Sequence, residues 1–146
     1  MIQMTDLMAR LIAAAPDDGV PCLVGTSSKD GYPQISPKGS VAVLDPETLC
    51  FWERSFRSSY DAIEANPHIV VYYRNQKSSI EMPYRGSALR FHGDARIVTE
   101  GPERDRAWEL CNKDEQARDP EKKGVAVLVR VDKIEEISGN IVMQRD

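Results

Sequence analysis

Six runs of strand length, rich in β-branched and aromatic residues and set off by turn signals, constrain this chain more than any other feature. They are Pro21–Ser27, a run beginning near Pro33, Thr48–Glu53, His68–Arg74, Ser87–Thr99 and Val125–Ile137. Such side chains suit a pleated, half-buried surface, and runs this short leave no room for long helices between most of them. Asp30-Gly31 predicts a hairpin between the first two runs, because glycine accepts a positive φ at little cost. Asp45-Pro46-Glu47 marks the next turn, and Gly93 inside the fifth run predicts a β-bulge. Helical spacing occurs over residues 4–15, where Met4, Leu7, Met8, Leu11 and Ile12 form one stripe behind Thr5 or Asp6 as N-cap. Two more helices are expected at about 59–65 and 102–112, with loops at 75–86 and through the charged segment 112–124. Strands that follow one another with few helices predict a mainly β fold, a small antiparallel barrel in a single domain spanning residues 1–146.

Composition narrows the function classes. A net charge of -4 argues against a nucleic-acid module, which carries a basic face. No apolar stretch approaches the roughly 20 residues that span a bilayer, so no membrane role is expected. The opening residues lack a basic leader and a continuous apolar segment, which predicts a cytoplasmic protein. Cys22, Cys50 and Cys111 are an odd number without close spacing, and only His68 and His92 could supplement them. No metal site is expected, and Cys22 and Cys50 read as small buried hydrophobes.

Two segments could carry chemistry. The first is Gln34-Ile35-Ser36-Pro37-Lys38-Gly39, a strand interrupted by residues that strands avoid. Backbone groups freed from pairing could bond the polar edge of a flat ring, with Lys38 adding positive charge. An irregular edge strand with a solvated lysine explains the same residues equally well. The second is Arg57-Ser58-Ser59 at a helix start, where unpaired N–H groups, hydroxyls and a guanidinium suit phosphate. Simple capping, with Ser58 and Asp61 as a capping box, is the competing explanation. Arg54 and Lys38 nearby favour the phosphate reading. Trp52, Tyr72, Tyr73 and Trp108 read as core aromatics, and His92 as a hydrogen-bonded or solvated strand residue. No grouping supports self-sufficient acid–base or nucleophilic catalysis, so any hard chemistry would fall to a cofactor.

The runs GYPQISPKG, DPETLCFW, RSSYDAIEANPHIVVYYR and the strand ending in FHGDA, in that order, resemble the pyridoxamine 5′-phosphate oxidase-like FMN-binding split-barrel proteins. The likeness extends from about residue 20 to 98. It implies a six-stranded split β-barrel that forms a homodimer, with FMN held at the subunit interface. By position it assigns Gln34, Ile35, Ser36 and Lys38 to the strand along the flavin ring, Trp52 and Glu53 to the strand beside it, and Arg57, Ser58 and Ser59 to the phosphate segment. The oxidases carry Ser-Arg-Lys in that last segment. They also place a flavin-reaching glutamine where this chain has Ala88, and end in Arg-Leu-His where it ends NIVMQRD. The resemblance therefore implies an FMN-dependent oxidoreductase passing hydride between flavin and a small organic molecule or nicotinamide donor, and not a genuine pyridoxamine phosphate oxidase. A flavin-binding sensor or carrier, or the same barrel holding haem or F420, are the alternatives.

Overall fold

A computed structural model describes residues 1–146 and shows eight strands in one sheet, all paired antiparallel. β1 (Cys22–Ser27) and β2 (Pro33–Lys38) form the predicted hairpin, with Gly31 at φ +84° in its turn. β3 (Ala42–Asp45), β4 (Thr48–Glu53), β5 (His68–Arg74), β6 (Ala88–Val98) and β7 (Val125–Glu135) follow, and β8 (Ile141–Gln144) folds back on β7. The strand order is β2-β1-β5-β6-β7-β4-β3. The fold is mainly β, as the spacing of the runs predicts. β3 and β8 are short strands beyond the six expected. The run from Pro33 breaks at Gly39-Ser40, and its second half crosses to the opposite end of the sheet.

That crossing forces the sheet to curl. Laid flat, β2 and β3 would stand about 29 Å apart at ordinary strand spacing. Residues 39–41 join them, and that length of chain reaches at most about 14 Å. The two edges must therefore approach each other without pairing, which is the split in the barrel. Buried Ser40 ties the crossing segment to β4: its Oγ accepts from the Trp52 N–H at 2.9 Å and donates to the Trp52 carbonyl at 3.3 Å.

Two apolar clusters sit on opposite faces of β4 and β7. Inside the curl, Leu49, Phe51, Val127, Val129 and Val131 meet β5 and β6 residues and the buried side of helix α1 (Asp6–Ala14). On the outside, Cys50, Trp52, Ala126 and Leu128 meet Ala107 of helix α3 (Pro102–Leu110) and Cys111. Coverage on both faces explains why the VAVLV run is apolar without alternation. Helix α1 begins at Thr5, whose Oγ1 accepts from the Met8 N–H at 3.2 Å. The β6–β7 register shifts between His92 and Gly93, but the extra residue is Asp132 on β7, and not a residue of the strand in which glycine predicts the bulge. All three thiols are buried, and burial pushes each up to about 12, so they are inert packing groups at neutral pH. No helix is long and apolar enough to cross a membrane.

Candidate functional site

The hairpin register decides what β2 can offer. The Ser28 N–H donates to the Tyr32 carbonyl at 2.9 Å, and the ladder continues through Thr26↔Gln34, Val24↔Ser36 and Cys22↔Lys38. Hydrogen-bonded pairs alternate along an antiparallel ladder, so Gln34, Ser36 and Lys38 bond to β1. The backbone groups of Pro33, Ile35 and Pro37 then face the free edge. Both prolines lack an N–H, which leaves the Ile35 N–H as the one donor among three carbonyls on that edge. Side chains separate the same way: Gln34, Ser36 and Lys38 are half-buried on the inner face, while Ile35 is 71% exposed on the outer one.

The inner-face residues meet two different partners. Gln34 Nε2 donates to Ser58 Oγ at 3.5 Å and Ser59 Oγ at 3.4 Å, and the Ser36 and Ser59 hydroxyls lie 3.4 Å apart. These contacts are long, so the hydroxyls retain most of their bonding capacity. Thr26, paired across from Gln34, is 4% exposed and its hydroxyl has no partner. Lys38 Nζ instead donates to Glu53 Oε2 at 2.8 Å, and Glu53 is 2% exposed. Its charge is therefore balanced by a buried carboxylate, a contact that spans the barrel seam from β2 to β4.

Helix α2 (Ser58–Ala65) starts differently from the expectation. Arg57 occupies the N-cap position and no side chain caps the helix, so the capping box of Ser58 and Asp61 does not form. The Arg57 backbone geometry places both serines inside the first turn, where their hydroxyls reach Gln34 and Ser36. The first helical bond runs from the Asp61 N–H to the Arg57 carbonyl. The N–H groups of Ser58, Ser59 and Tyr60 precede it and remain available for an anion. Ala62 and Ile63 are buried and hold the helix against β1 and β6.

Beside this cluster, an open cleft of about 690 Å³ runs along the seam, within the range of small-molecule sites. Lys38, Trp52, Glu53, Arg54 and Arg57 line one side, and Asn112, Asp114, Glu115 and Arg118 the other. The second wall is helix α4 (Lys113–Ala117), inside the segment expected to be a charged loop. Asn112 and Glu115 have the spacing of a capping box, a signal that predicts this helix. Asn112 caps it through a 2.9 Å bond to the Glu115 N–H, and its amide donates to the Gly39 carbonyl at 2.8 Å.

Of the residues assigned by resemblance, the structure brings Gln34, Ser36, Ser58 and Ser59 together, sets Lys38 with Glu53, and lines the cleft with Arg57. It does not bring Ile35 or the Trp52 indole to them. Trp52 and Glu53 are adjacent on β4 and face opposite clusters. The indole N–H donates to Asp119 Oδ2 at 2.8 Å, Trp108 packs edge-on at 5.0 Å, and Arg104 lies over the ring at 4.8 Å. Asp119 has no signal in the sequence beyond its charge. Burial raises its carboxyl, but bonds from Trp52 and the Lys123 and Gly124 N–H groups, with Arg104 nearby, outweigh burial and hold it below the usual carboxylate range.

His92 lies outside this cleft. Its Nε2 is 2.8 Å from Glu135 Oε1, and Arg90 Nη1 reaches the same oxygen at 3.1 Å. The His92 bond is the main influence lowering the Glu135 carboxyl, with burial opposing it and Lys133 and Arg90 assisting. A depressed native value means stability that is present above the unfolded value of 4.5 and lost as pH falls through the native one. Urea melts across an acid series should show stability falling below about pH 4.5, and Glu135→Gln should flatten the upper part of that limb. An unchanged pH profile in that variant would refute the assignment.

A family model described as pyridoxamine 5′-phosphate oxidase matches residues 10–138. Among solved structures, HupZ from Group A Streptococcus is 26% identical with a TM-score of 0.71, the alignment covering 96% of this chain and 99% of that one. An FMN-binding protein from Syntrophomonas wolfei is 11% identical at a TM-score of 0.68, covering 90% of this chain and 86% of that one. An F420 reductase is 23% identical at 0.57, covering 78% and 87%. The last two likenesses are of fold alone. No curated protein matches the sequence. The match over most of its length makes this chain a member of the pyridoxamine 5′-phosphate oxidase family.

Proposed function

We propose that the protein binds FMN at the barrel seam and works with it as an oxidoreductase on a small molecule. The observation that carries this reading is the uncapped start of α2 beside the free edge of β2. Three N–H groups without protein acceptors, the Ser58 and Ser59 hydroxyls and the Arg57 guanidinium form a donor set suited to a phosphate dianion. One N–H flanked by carbonyls on β2 suits a ring edge on which acceptors and a donor alternate. Gln34 and Ser36 hold the serines in place from the strand side.

When bound, FMN would supply the two-electron chemistry that no side chain here supplies. The chain's own contribution is to anchor, orient and shield. The Lys38–Glu53 pair is internally neutral, so it offers the cleft neither a free acid nor a free base. A homodimer is part of this reading. Ile35, 71% exposed on the outer face of the hairpin, marks an apolar surface that a second copy would cover.

The test is titration of purified protein with FMN, with molecular mass measured in the same preparation. Ser58→Ala/Ser59→Ala should weaken FMN about 100-fold, since two hydrogen bonds to a charged group are lost. The melting temperature of the ligand-free protein should hardly move, because neither serine caps the helix. Unchanged affinity would remove the phosphate assignment, and a wild-type protein that binds haem or F420 in place of FMN would remove the cofactor. Reduction of the bound flavin by NADH or NADPH with turnover of an organic acceptor separates an enzyme from a carrier.

A further inference from the structure

The far wall of the cleft holds a second cationic centre that anchoring one phosphate does not use. Arg54, leaving the end of β4, and Arg118, just past α4, flank a single carboxylate. Arg54 Nε lies 3.6 Å from Glu115 Oε2, and Arg118 Nη1 lies 3.7 Å from Glu115 Oε1. Both distances exceed a charge-assisted hydrogen bond, so each guanidinium is attracted to Glu115 while its N–H donors stay free. The carboxylate itself is fixed. It is 12% exposed, its helix is pinned by Asn112 to Gly39 just past β2, and a Cβ on Gly39 would come within 2.6 Å of Oε1. Gly39 is thus the residue that lets an acidic side chain lie against the seam. The neighbouring lysine contributes no spare charge, because Glu53 neutralises Lys38. Two guanidiniums around one half-satisfied carboxylate, on the rim of a 690 Å³ cleft in an acidic protein, form a cradle for a second anion.

We propose that Arg54 and Arg118 recognise a carboxylate or phosphate on the molecule that reacts with the cofactor, and that Glu115 spaces the two arginines and competes with that anion. The inference rests on the FMN reading for the role of the anion, but not for its binding. Arg57 and the serines are left to the cofactor's phosphate, so the site selects anionic over neutral substrates.

Calorimetric titration of FMN-saturated protein with inorganic pyrophosphate and, separately, with citrate tests this. The tighter probe assigns the group as phosphate or carboxylate. Arg54→Ala/Arg118→Ala should lower its affinity about tenfold or more while leaving the FMN affinity within about threefold. Glu115→Gln separates recognition from scaffolding, because removing the competing charge should raise anion affinity severalfold, whereas arginines that merely staple α4 would gain nothing. An unchanged or weakened anion affinity in Glu115→Gln overturns the proposal. So does a double variant that loses FMN in parallel, since the arginines would then belong to the cofactor's phosphate site. If the wild-type protein binds no FMN, the same titrations on protein alone still decide the anion site, and the flavin reading fails separately. Should the double variant unfold, the Glu115→Gln comparison stands by itself.

Discussion

Lys38→Met is expected to destabilise the protein by about 3 kcal/mol at neutral pH, a fall in melting temperature of roughly 6–12 °C for a domain of this size. The cause is the residue left behind. Glu53 is 2% exposed, and apart from the 2.8 Å ion pair its carboxylate has only a 3.3 Å bond from the Ser55 hydroxyl. Removing the ammonium strands a charge in the barrel seam, whereas Lys38→Met/Glu53→Gln removes both and should recover most of the loss. The double-mutant cycle isolates the pair from the other contacts of the lysine, whose ammonium nitrogen lies 5.9 Å from the Phe51 ring centroid. Additive losses in the cycle would show that the two charges do not depend on each other. Glu53→Gln alone carries a functional consequence. It frees the Lys38 charge that Glu53 now balances, and a flavin bound along β2 should become easier to reduce, which a redox titration reads directly.

How far the sequence could lead is visible in that pair. Lys38 and Glu53 each stood out by position, but their contact depends on β2 and β4 meeting across the split, which no local pattern encodes. Alternation along β2 separates Gln34, Ser36 and Lys38 from Ile35, although the resemblance groups all four along the ring. The start of α2 was not, because Ser58 and Asp61 have capping-box spacing and only tertiary contact with Gln34 and Ser36 decides that the serine hydroxyls point elsewhere. β3 was hidden for a different reason. It continues an apolar run without a turn dipeptide, and only its crossing to the far edge makes it a separate strand. Asp119 illustrates the limit most plainly. One surface-looking acid in a charged segment turns out to bond the Trp52 indole and two backbone N–H groups at 2.8–2.9 Å.

An irregularity at Gly93 was legible, though its extra residue is Asp132 on the facing strand, and the glycine should be close to irreplaceable. Gly93→Ala is expected to cost about 3 kcal/mol or more, since overpacking that only backbone movement can relieve lies at the upper end of such effects. An added Cβ would stand 2.2 Å from the Arg130 carbonyl oxygen and 2.9 Å from its carbon, and both belong to the main chain of β7. A flexible side chain could swing aside, but a strand in the middle of the sheet cannot without breaking the β6–β7 ladder on which both clusters rest. Gly139 provides the contrast. Its φ of +91° strains any other residue, yet nothing lies within 4 Å of the added carbon, so Gly139→Ala should cost only about 1–2 kcal/mol. Urea denaturation of the two variants measures both. A Gly93→Ala protein no less stable than Gly139→Ala would mean that β6 and β7 can separate locally, and that the bulge is a soft point of the sheet rather than a fixed one. The bulge also positions His92 opposite Lys133, one turn of the pleat from Arg90 and Glu135. A strained Gly93 variant that still folds should therefore weaken the His92–Glu135 bond and flatten the same upper part of the acid limb that Glu135→Gln flattens, coupling the middle of the sheet to the cluster on its outer face.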